Sequence, residues 1–403
     1  MKSYILQPMP AARSRVAVLF FTVLIDLIGF GIIIPILPYY AQRLGASGFG
    51  LGALLGVFSL MQFVSTAFLG RTSDRVGRRP ILLVTMVINA VGYLLFAAAH
   101  SYLVLFVARV VSGFAGGNIS AAQAYMADIT TPGERSRAMG VIGAAFGLGF
   151  IIGPALGGLA AHYLGPAAPG LVAAGLSLAN FVSAYVILPE SLKQEHRAER
   201  ELWDFSHIGD AIRNPRLAPL MAAWALAPLA FSGYTVALPF WAKASYGWRE
   251  QELGWFFTVI GATAALVQGY LFGKLARRFG DRTLLVAGGF GMALAIGVIP
   301  WLRSSTELYG WTVVLAFSNS IFGPAATGLV SIFAAPTEQG TVLGAAQALG
   351  ALGRLLGPLL MGRVYDASPA AAFLVAGGVM ILGGMATLRV PRVDPAPSDL
   401  IST

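Results

Sequence analysis

Residues Gly70 to Leu82 read GRTSDRVGRRPIL and lie between two long apolar runs. Five charged residues fall within nine positions of this stretch, namely Arg71, Asp74, Arg75, Arg78 and Arg79. Gly70 and Gly77 allow tight backbone turns, and Pro80 suits the first turn of a helix. The stretch is therefore predicted to be a charged connection between two apolar helices.

A second copy of this pattern stands about two hundred residues further along the chain. Gly273 to Leu285 reads GKLARRFGDRTLL, and its two glycines follow Gly70 and Gly77 at an offset of 203 residues. The acid is lost in the second copy, where Arg277 replaces the counterpart of Asp74. The chain is therefore predicted to be a duplication of two long halves, because a repeat of this length exceeds any solenoid unit.

The composition assigns the chain to the lipid bilayer. Of its 403 residues 57% are hydrophobic and 11% charged, whereas a soluble domain carries about 25% charge. The absence of cysteine excludes disulfides and thiolate metal sites, and four scattered histidines predict no metal site and no cofactor. Twelve apolar stretches are long enough to cross a hydrocarbon core of roughly 30 Å. They are predicted near residues 16–40, 50–70, 80–99, 102–127, 136–160, 169–189, 216–242, 250–273, 282–302, 306–334, 338–361 and 369–388.

The basic residues follow the predicted topology rather than a nucleic-acid surface. With both termini in the cytoplasm, 20 of the 27 Lys and Arg residues fall on the cytoplasmic side and 5 on the outer side. Arg109 and Arg354 remain within the membrane. This positive-inside bias predicts a multi-pass protein of the plasma (inner) membrane. We expect a monomer that has no nucleic-acid partner.

The fold class is therefore all-α and integral to the membrane, with twelve helices in two pseudo-symmetric six-helix bundles. The predicted divisions are an N-terminal bundle at 1–189, a charged and partly helical cytoplasmic linker at 190–215, a C-terminal bundle at 216–388 and a disordered tail at 389–403.

The stretch after Gly70 resembles the signature loop between helices 2 and 3 of the major facilitator superfamily, whose pattern is G-x-x-x-D-R-x-G-R-R. The matching residues are Gly70, Asp74, Arg75, Gly77 and Arg78. By this resemblance, Asp74 sits against the amino end of helix 11, near residues 336–338, where the helix dipole favours an anion. Arg78 pairs with Asp128 at the end of helix 4. Together these contacts would latch the cytoplasmic side of the outward-open state.

Three further motifs resemble those of drug/proton antiporters with twelve helices. They are LFVARVVSG at 105–113, GFIIGPALGG at 149–158, and Asp26 followed by PILP at 35–38. The second motif contains Gly149, Gly153, Pro154, Gly157 and Gly158. Three of its glycines recur every four residues and predict a smooth face for close helix packing. The counterparts of Asp26 and Arg109 in the second half are apolar, near Ala227 and Val313, so the first half is predicted to carry the proton coupling.

Within that group, AAQAYMAD at 121–128 and the Tyr246-Gly247-Trp248 turn resemble the tetracycline-resistance family of efflux pumps. Two intramembrane acids of that family are absent here. The helix-3 position is Gly92, and residues 283–302 contain no acid. Asp26 is therefore the one acid predicted to lie well inside the membrane.

Asp26 and Arg109 are the candidate proton-coupling residues. At about 1.5 Å per residue, their predicted depths in a core of roughly 30 Å differ by only about 4 Å. They are therefore expected to meet in a cavity of the first half. In the functional interpretation Asp26 takes up and releases a proton while Arg109 favours its ionised form. The alternative is a static salt bridge between helices 1 and 4.

Polar side chains within the apolar helices are the candidates for substrate binding, because amides in lipid need hydrogen-bond partners. The candidates are Gln62, Gln123, Tyr234, Gln268, Asn319, Gln347 and Arg354. Gln123 is expected to share a face of helix 4 with Arg109, and Asn118 to point the other way. Arg354 either holds an anionic or polar group of the substrate or snorkels toward a helix end.

The leading prediction is a secondary active transporter that exports small amphiphilic drugs in exchange for protons. A carrier of a metabolite or sugar is the alternative with the same fold. A channel is disfavoured, because the duplicated and Gly/Pro-broken architecture suits alternating access. An enzyme is disfavoured as well, because the sequence has no His/Cys/Asp cluster and no nucleophile constellation. Nothing resembles an ATP-binding P-loop, so the energy for transport is expected to come from a gradient.

Overall fold

The computed structural model describes residues 10–131, 135–191, 209, 212–335 and 338–392. Twelve of its helices are long and apolar enough to cross a membrane. They are α1 (Pro10–Ile33, continued by Leu37–Arg43), α2 (Gly48–Val76), α3 (Arg78–Ala97), α4 (Tyr102–Ala115, continued by Asn118–Asp128), α5 (Arg135–Leu164), α6 (Ala168–Ile187), α7 (Ala218–Tyr246), α8 (Glu250–Leu266, the π-helical turn Val267–Leu271 and Phe272–Phe279), α9 (Asp281–Gly297), α10 (Ser305–Phe333), α11 (Gln339–Ala367) and α12 (Pro369–Leu388). Twelve crossings return the chain to the face where it began. We call that face the terminus face and the opposite one the distal face.

The two halves repeat one packing scheme. In the first half, α1 packs on α5 and α6, α3 packs on α4 and α6, and α2 packs on α4. In the second half, α7 packs on α11 and α12, α9 packs on α10 and α12, and α8 packs on α10. Every pair recurs with its helix numbers raised by six. The predicted fold class, twelve helices in two pseudo-symmetric six-helix bundles, is therefore confirmed.

The stretch that follows Gly70 is helical rather than a loop. α2 continues to Val76 and α3 begins at Arg78, so that Gly77 alone separates them, with φ at 119°. A positive φ favours glycine, which explains the residue at the turn. The predicted turn at Gly70 is wrong, because Gly70 lies inside α2, where a Cβ atom would come within 3.4 Å of the Ser120 hydroxyl.

The glycines of the antiporter motif fall on two sides of α5. Those that face α1 are Gly149, Gly153 and Gly157. At Gly153 a Cβ atom would come 2.7 Å from the Cα atom of Gly31, so the two backbones pack directly on each other. Gly158 faces α8 instead, together with the carbonyl of Pro154, and both lie against Gly254. The motif thus fixes the position of α1, which carries Asp26, and joins the first half to the second.

Two helix crossings join the halves, α5 with α8 and α2 with α11. In the first, a Cβ atom at Gly261 would come 2.6 Å from the carbonyl oxygen of Phe150. In the second, one at Gly56 would come 2.9 Å from the carbonyl oxygen of Leu355. Side chains at these glycines would push the helices apart, so both crossings depend on bare backbone.

A carboxylate reinforces the second crossing at the distal face. Asp366, near the end of α11, accepts hydrogen bonds from the backbone N–H groups of Gly48 at 2.6 Å and Phe49 at 2.9 Å. These are the first two residues of α2, whose amino end carries a partial positive charge and unpaired N–H groups. Asp366 thus caps a helix of the opposite half.

Side chains also bridge the halves at the distal face. Arg43 pairs with Glu250 at 2.5 Å, and Lys243 donates to Gln42 at 2.5 Å. At the terminus face the described parts of the two crossings lie further apart, since no atom of the described residues lies within 4 Å of a Cβ placed on Gly140 or Gly143 of α5 or on Gly344 of α11. In the part of the chain that the structure describes, the cleft between the bundles is therefore closed at the distal face and open at the terminus face.

Parts of three predicted segments lie outside the described residues. They are residues 1–9 of the basic lead, most of the linker at 192–208 and 210–211, and residues 393–403 of the tail.

Candidate functional site

A cavity of about 220 Å³ lies inside the first bundle, between α1, α2, α3, α4 and α5. Most of its wall is apolar, and its polar side chains converge from four helices. They include Asp26, Gln62, Asn89, Tyr93, Arg109 and Asn118. The two ionisable residues that the sequence singled out, Asp26 and Arg109, therefore share one cavity.

Two asparagines hold the carboxylate of Asp26, one on each oxygen. Asn118 donates to Oδ2 at 2.7 Å, and Asn180 of α6 donates to Oδ1 at 3.2 Å. The amide of Asn180 also donates to the carbonyl oxygen of Thr22 at 2.9 Å. Both asparagines are buried, at 7% and 1% exposure, so little water competes for these bonds. The carboxylate is thus fixed between α1, α4 and α6.

Arg109 is placed by α2 rather than by an acid. Its guanidinium lies over the ring of Phe58, 4.1 Å from the centroid, and Nε donates to the carbonyl oxygen of Leu54 at 3.4 Å. The side chain is 5% exposed. None of the ion pairs among the described residues joins Arg109 to Asp26, so the static salt bridge considered above is not formed in this conformation.

Asn118 reaches Asp26 because α4 is broken. The first segment ends at Ala115 and the second begins at Asn118, with Gly116 and Gly117 between them. A straight helix places Asn118 away from Arg109, and that prediction is wrong, since both residues line the same cavity. Gln62 of α2 donates to the carbonyl oxygen of Gly116 at 3.2 Å and so satisfies a backbone group that the break frees.

Gly92 shows why the helix-3 acid of the tetracycline pumps has no equivalent here. A Cβ atom on Gly92 would come 3.1 Å from the backbone nitrogen of Ser112. The position is a close crossing of α3 and α4, where a carboxylate has no room.

A second polar cluster lies at the terminus face around Arg78. Its Nε donates to Oδ2 of Asp128 at 3.2 Å, its Nη1 donates to the hydroxyl of Ser73 at 2.7 Å, and it forms an ion pair with Asp74. The structure therefore brings Arg78 and Asp128 together. Arg75 is exposed on the last turn of α2. Asp74 reaches Arg78 in this conformation, and residues 336–337 next to its predicted partner helix lie outside the described part of the chain.

Glu190 belongs to this cluster, although the sequence suggested only a linker charge. Its two carboxylate oxygens accept hydrogen bonds from the backbone N–H groups of Arg78 at 2.9 Å and Arg79 at 3.2 Å. It thereby caps the amino end of α3 next to Gly77. Composition gave no signal for this contact, because the two partners lie 112 residues apart.

The predicted substrate residues fall into three groups. Gln62 lines the cavity of the first bundle. Five others have exposed side chains, and they are Gln123, Gln268, Asn319, Gln347 and Arg354. Tyr234 lies in the core of the second bundle at 1% exposure, between the rings of Phe231 and Phe256. In this conformation the Tyr234 ring packs against its neighbours, and a substrate cannot reach it.

The twelve crossing helices, the two repeated bundles and the buried ionisable cavity define a membrane transport protein. The chain belongs to the Major Facilitator Superfamily, whose family model matches residues 19–311 and 220–402. Members of this family carry small molecules across membranes and are not enzymes.

Three known proteins resemble this chain over most of its length. The class D tetracycline resistance protein of Salmonella ordonez is 30% identical, over 85% of this chain and 87% of that protein. Multidrug resistance protein 2 of Bacillus subtilis is 30% identical, over 91% of this chain and 92% of that protein. The crystal structure of the human organic anion transporter MFSD10 is 28% identical with a TM-score of 0.69, covering 94% of this chain and 100% of that one. The resemblance to tetracycline-resistance proteins is therefore confirmed.

The contact between Asn118 and Asp26 generates a stability prediction. Asn118→Ala should lower the free energy of unfolding by about 1.5–3 kcal/mol, because a hydrogen bond to a charged group is lost. In an Asp26→Ala background the same substitution should cost much less. The measurement is a double-mutant cycle by thermal unfolding in detergent at neutral pH.

Asn89→Ala is the matched control, because Asn89 lines the same cavity and makes none of the described hydrogen bonds to Asp26. The loss of stability caused by Asn89→Ala should be the same with Asp or with Ala at position 26. If the loss caused by Asn118→Ala is also the same in both backgrounds, the hydrogen bond from Asn118 to Asp26 does not stabilise the protein.

Proposed function

We propose that this protein exports amphiphilic compounds in exchange for protons by alternating access, and that Asp26 carries the proton. The observation that carries the proposal is the carboxylate of Asp26, held within the membrane by Asn118 and Asn180 in a cavity that also contains Arg109. Ionisable groups within membranes are costly and mark ion pathways. The named drug-resistance relatives support an export function.

The hydrogen bonds indicate which oxygen takes the proton. An ionised carboxylate accepts on both oxygens, whereas a protonated one turns one oxygen into a donor. The bond from Asn180 to Oδ1 is the longer of the two, and Asn180 keeps Thr22 as a partner when that bond is lost. Protonation at Oδ1 therefore costs one weak bond, while the 2.7 Å bond from Asn118 to Oδ2 remains.

Release of the amide of Asn180 from Asp26 would remove one of its two hydrogen bonds from α6 to α1 and leave the bond to Thr22, while Asn118 still links α1 to the second segment of α4. The proton would thus weaken the attachment of α1 to α6 relative to its attachment to α4. Substrate and proton then favour different states, which is the requirement for exchange.

We assign the terminus face to the cytoplasm, from the excess of Lys and Arg in its connections. The open cleft described above then faces the cytoplasm, where an exporter loads its substrate. Closure of that side would bring the ends of α2 and α11 together. Asp74 would leave its ion pair with Arg78 and approach the amino end of α11, as the family resemblance implies.

Asp74 and Asp366 would then act as reciprocal latches of one helix pair. Asp366 lies at the end of α11 and caps the beginning of α2 at the distal face. Asp74 lies near the end of α2 and would stabilise the beginning of α11 at the terminus face. Each carboxylate favours the state in which its own face is closed, through the partial charge of a helix end.

The coupling prediction concerns Asp26→Asn. The variant cannot ionise, so it should lose uphill export in proteoliposomes while it still binds substrate and exchanges it downhill. The measurement is proton movement that follows the addition of tetracycline or 1-naphthalenesulfonate, read with a pH-sensitive dye inside the vesicles. Glu307→Gln, an acid-to-amide change at the distal end of α10, is the control and should keep full coupling. Full drug-induced proton movement in Asp26→Asn would eliminate this mechanism.

The latch prediction compares two matched substitutions. Asp74→Asn should shift the population toward the state that is open at the terminus face, and Asp366→Asn should shift it away from that state. Each shift should be about two- to fivefold, because a carboxylate at a helix amino end contributes about 0.3–1 kcal/mol. The readout is the rate at which a hydrophilic maleimide labels a cysteine introduced at Gln347, an exposed position of α11. Shifts in the same direction, or none, would contradict the reciprocal arrangement.

A further inference from the structure

Arg354 is an arginine at the middle of a membrane helix without an acidic partner. Among the described residues, no carboxylate forms an ion pair with it. The acids on α7 to α12 all stand at helix ends, and they are Glu250, Glu252, Asp281, Glu307 and Asp366. Within the described ranges, no acid therefore compensates this charge in the centre of the second half.

Snorkelling does not explain Arg354. It lies near the midpoint of α11 (Gln339–Ala367), about 20 Å from either end at about 1.5 Å per residue. An arginine side chain covers only a small part of that distance. The guanidinium therefore stays at the depth of the membrane core.

The packing of α11 places Arg354 on the side of the cleft. Leu352, Leu356 and Leu360 form an exposed apolar stripe, at 48%, 46% and 53% exposure, that is suited to lipid. Arg354 is two residues from both Leu352 and Leu356, and so lies about 160–200° around the helix from them. Gln347 is two turns from Arg354 on the same face. Both side chains are exposed, although they point away from the lipid stripe.

The neighbouring helices leave this face open. On one side of Arg354, Gly353 packs against α7, where a Cβ atom would come 2.5 Å from the carbonyl oxygen of Ala225. On the other side, Leu355 packs against Gly56 of α2. Arg354 lies between these two contacts and faces the space between the bundles.

We propose that Arg354 is an anion-binding subsite in the cleft, and that the transported amphiphiles carry a carboxylate, sulfonate or similar anionic group that pairs with it. The inference rests on the proposed transport function and adds the charge class of the substrate. Closing the cleft removes water from Arg354, which is costly for an unpaired charge and less costly when an anion is bound. Closure of the cleft is therefore more favourable when an anion is bound to Arg354. The human organic anion transporter among the relatives is consistent with this class of substrate.

The test uses pairs of probes that differ only in charge. 1-Naphthoate and 1-naphthalenesulfonate are compared with the neutral 1-naphthamide, by competition and by tryptophan fluorescence on the full-length protein in detergent. The wild type should bind the anions about ten- to a hundredfold more tightly than the amide, since charge-assisted hydrogen bonds contribute that much. Arg354→Gln should abolish the preference, and Arg354→Lys should retain part of it.

Arg363→Gln is the matched control, because it makes the same charge change on α11 at an exposed position near the distal end. It should leave the preference unchanged. Equal binding of anion and amide by the wild type, a preference that survives in Arg354→Gln, or no binding of either anion would each overturn the proposal.

Binding without a pH gradient separates this inference from proton coupling. Asp26→Asn should keep the preference for anions even though it cannot couple. If the wild type shows no preference for anions but keeps drug-induced proton movement, only the anion site is contradicted. If the wild type prefers anions but shows no proton movement, only the coupling mechanism is contradicted.

Discussion

The rest of the structure depends on one constraint, which is backbone contact at glycines. These glycines lie where α2 crosses α11 and where α5 crosses α8. At Gly56 and Gly261 the backbones of the two halves meet without intervening side chains. Such crossings form or separate as units, because a packed interface has no gradual intermediate. Among the described residues, these contacts are made toward the distal face and are not made at Gly140, Gly143 and Gly344 of the terminus face. We propose that opening on one side is thereby linked to closure on the other.

Glycine packing also positions α1, the helix that contributes Asp26 to the ionisable cavity. Gly149 and Gly153 of α5 hold α1 by its backbone, and α1 carries Asp26. The carboxylate is then shared with α4 through Asn118 and with α6 through Asn180. In the proposed mechanism a proton on Asp26 changes hydrogen bonds between three helices of one bundle, while the opposite bundle offers Arg354, a cation near the middle of a helix. The proposed proton and substrate sites thus lie in different halves.

Much of the fold was predictable from sequence, because hydropathy and the repeated Gly70 pattern are local signals. The two hydrogen bonds from asparagine side chains to Asp26 were not predictable. Asn118 was misplaced because a helical projection assumes continuity, and the break at Gly116 and Gly117 turns the residue toward α1. Asn180 lies 154 residues from Asp26, and no spacing rule connects them. The ionisable residues themselves were predictable, because a charged residue in an apolar helix is easily recognised in a sequence. Their partners are uncharged, and nothing in the sequence distinguishes them from other polar residues.

Alternation of the two faces is the central claim, and one measurement tests it most directly. The sequence contains no cysteine, so introduced pairs are the sole labelling sites. Spin labels at Tyr163 and Ser245 report the distal face, and labels at Val76 and Phe279 report the terminus face. Electron–electron distance distributions in lipid are recorded at acidic and neutral pH, with and without an amphiphile. The account predicts that the two distances change in opposite senses under every condition. Distances that lengthen together, or one that moves while the other stays fixed, would contradict it.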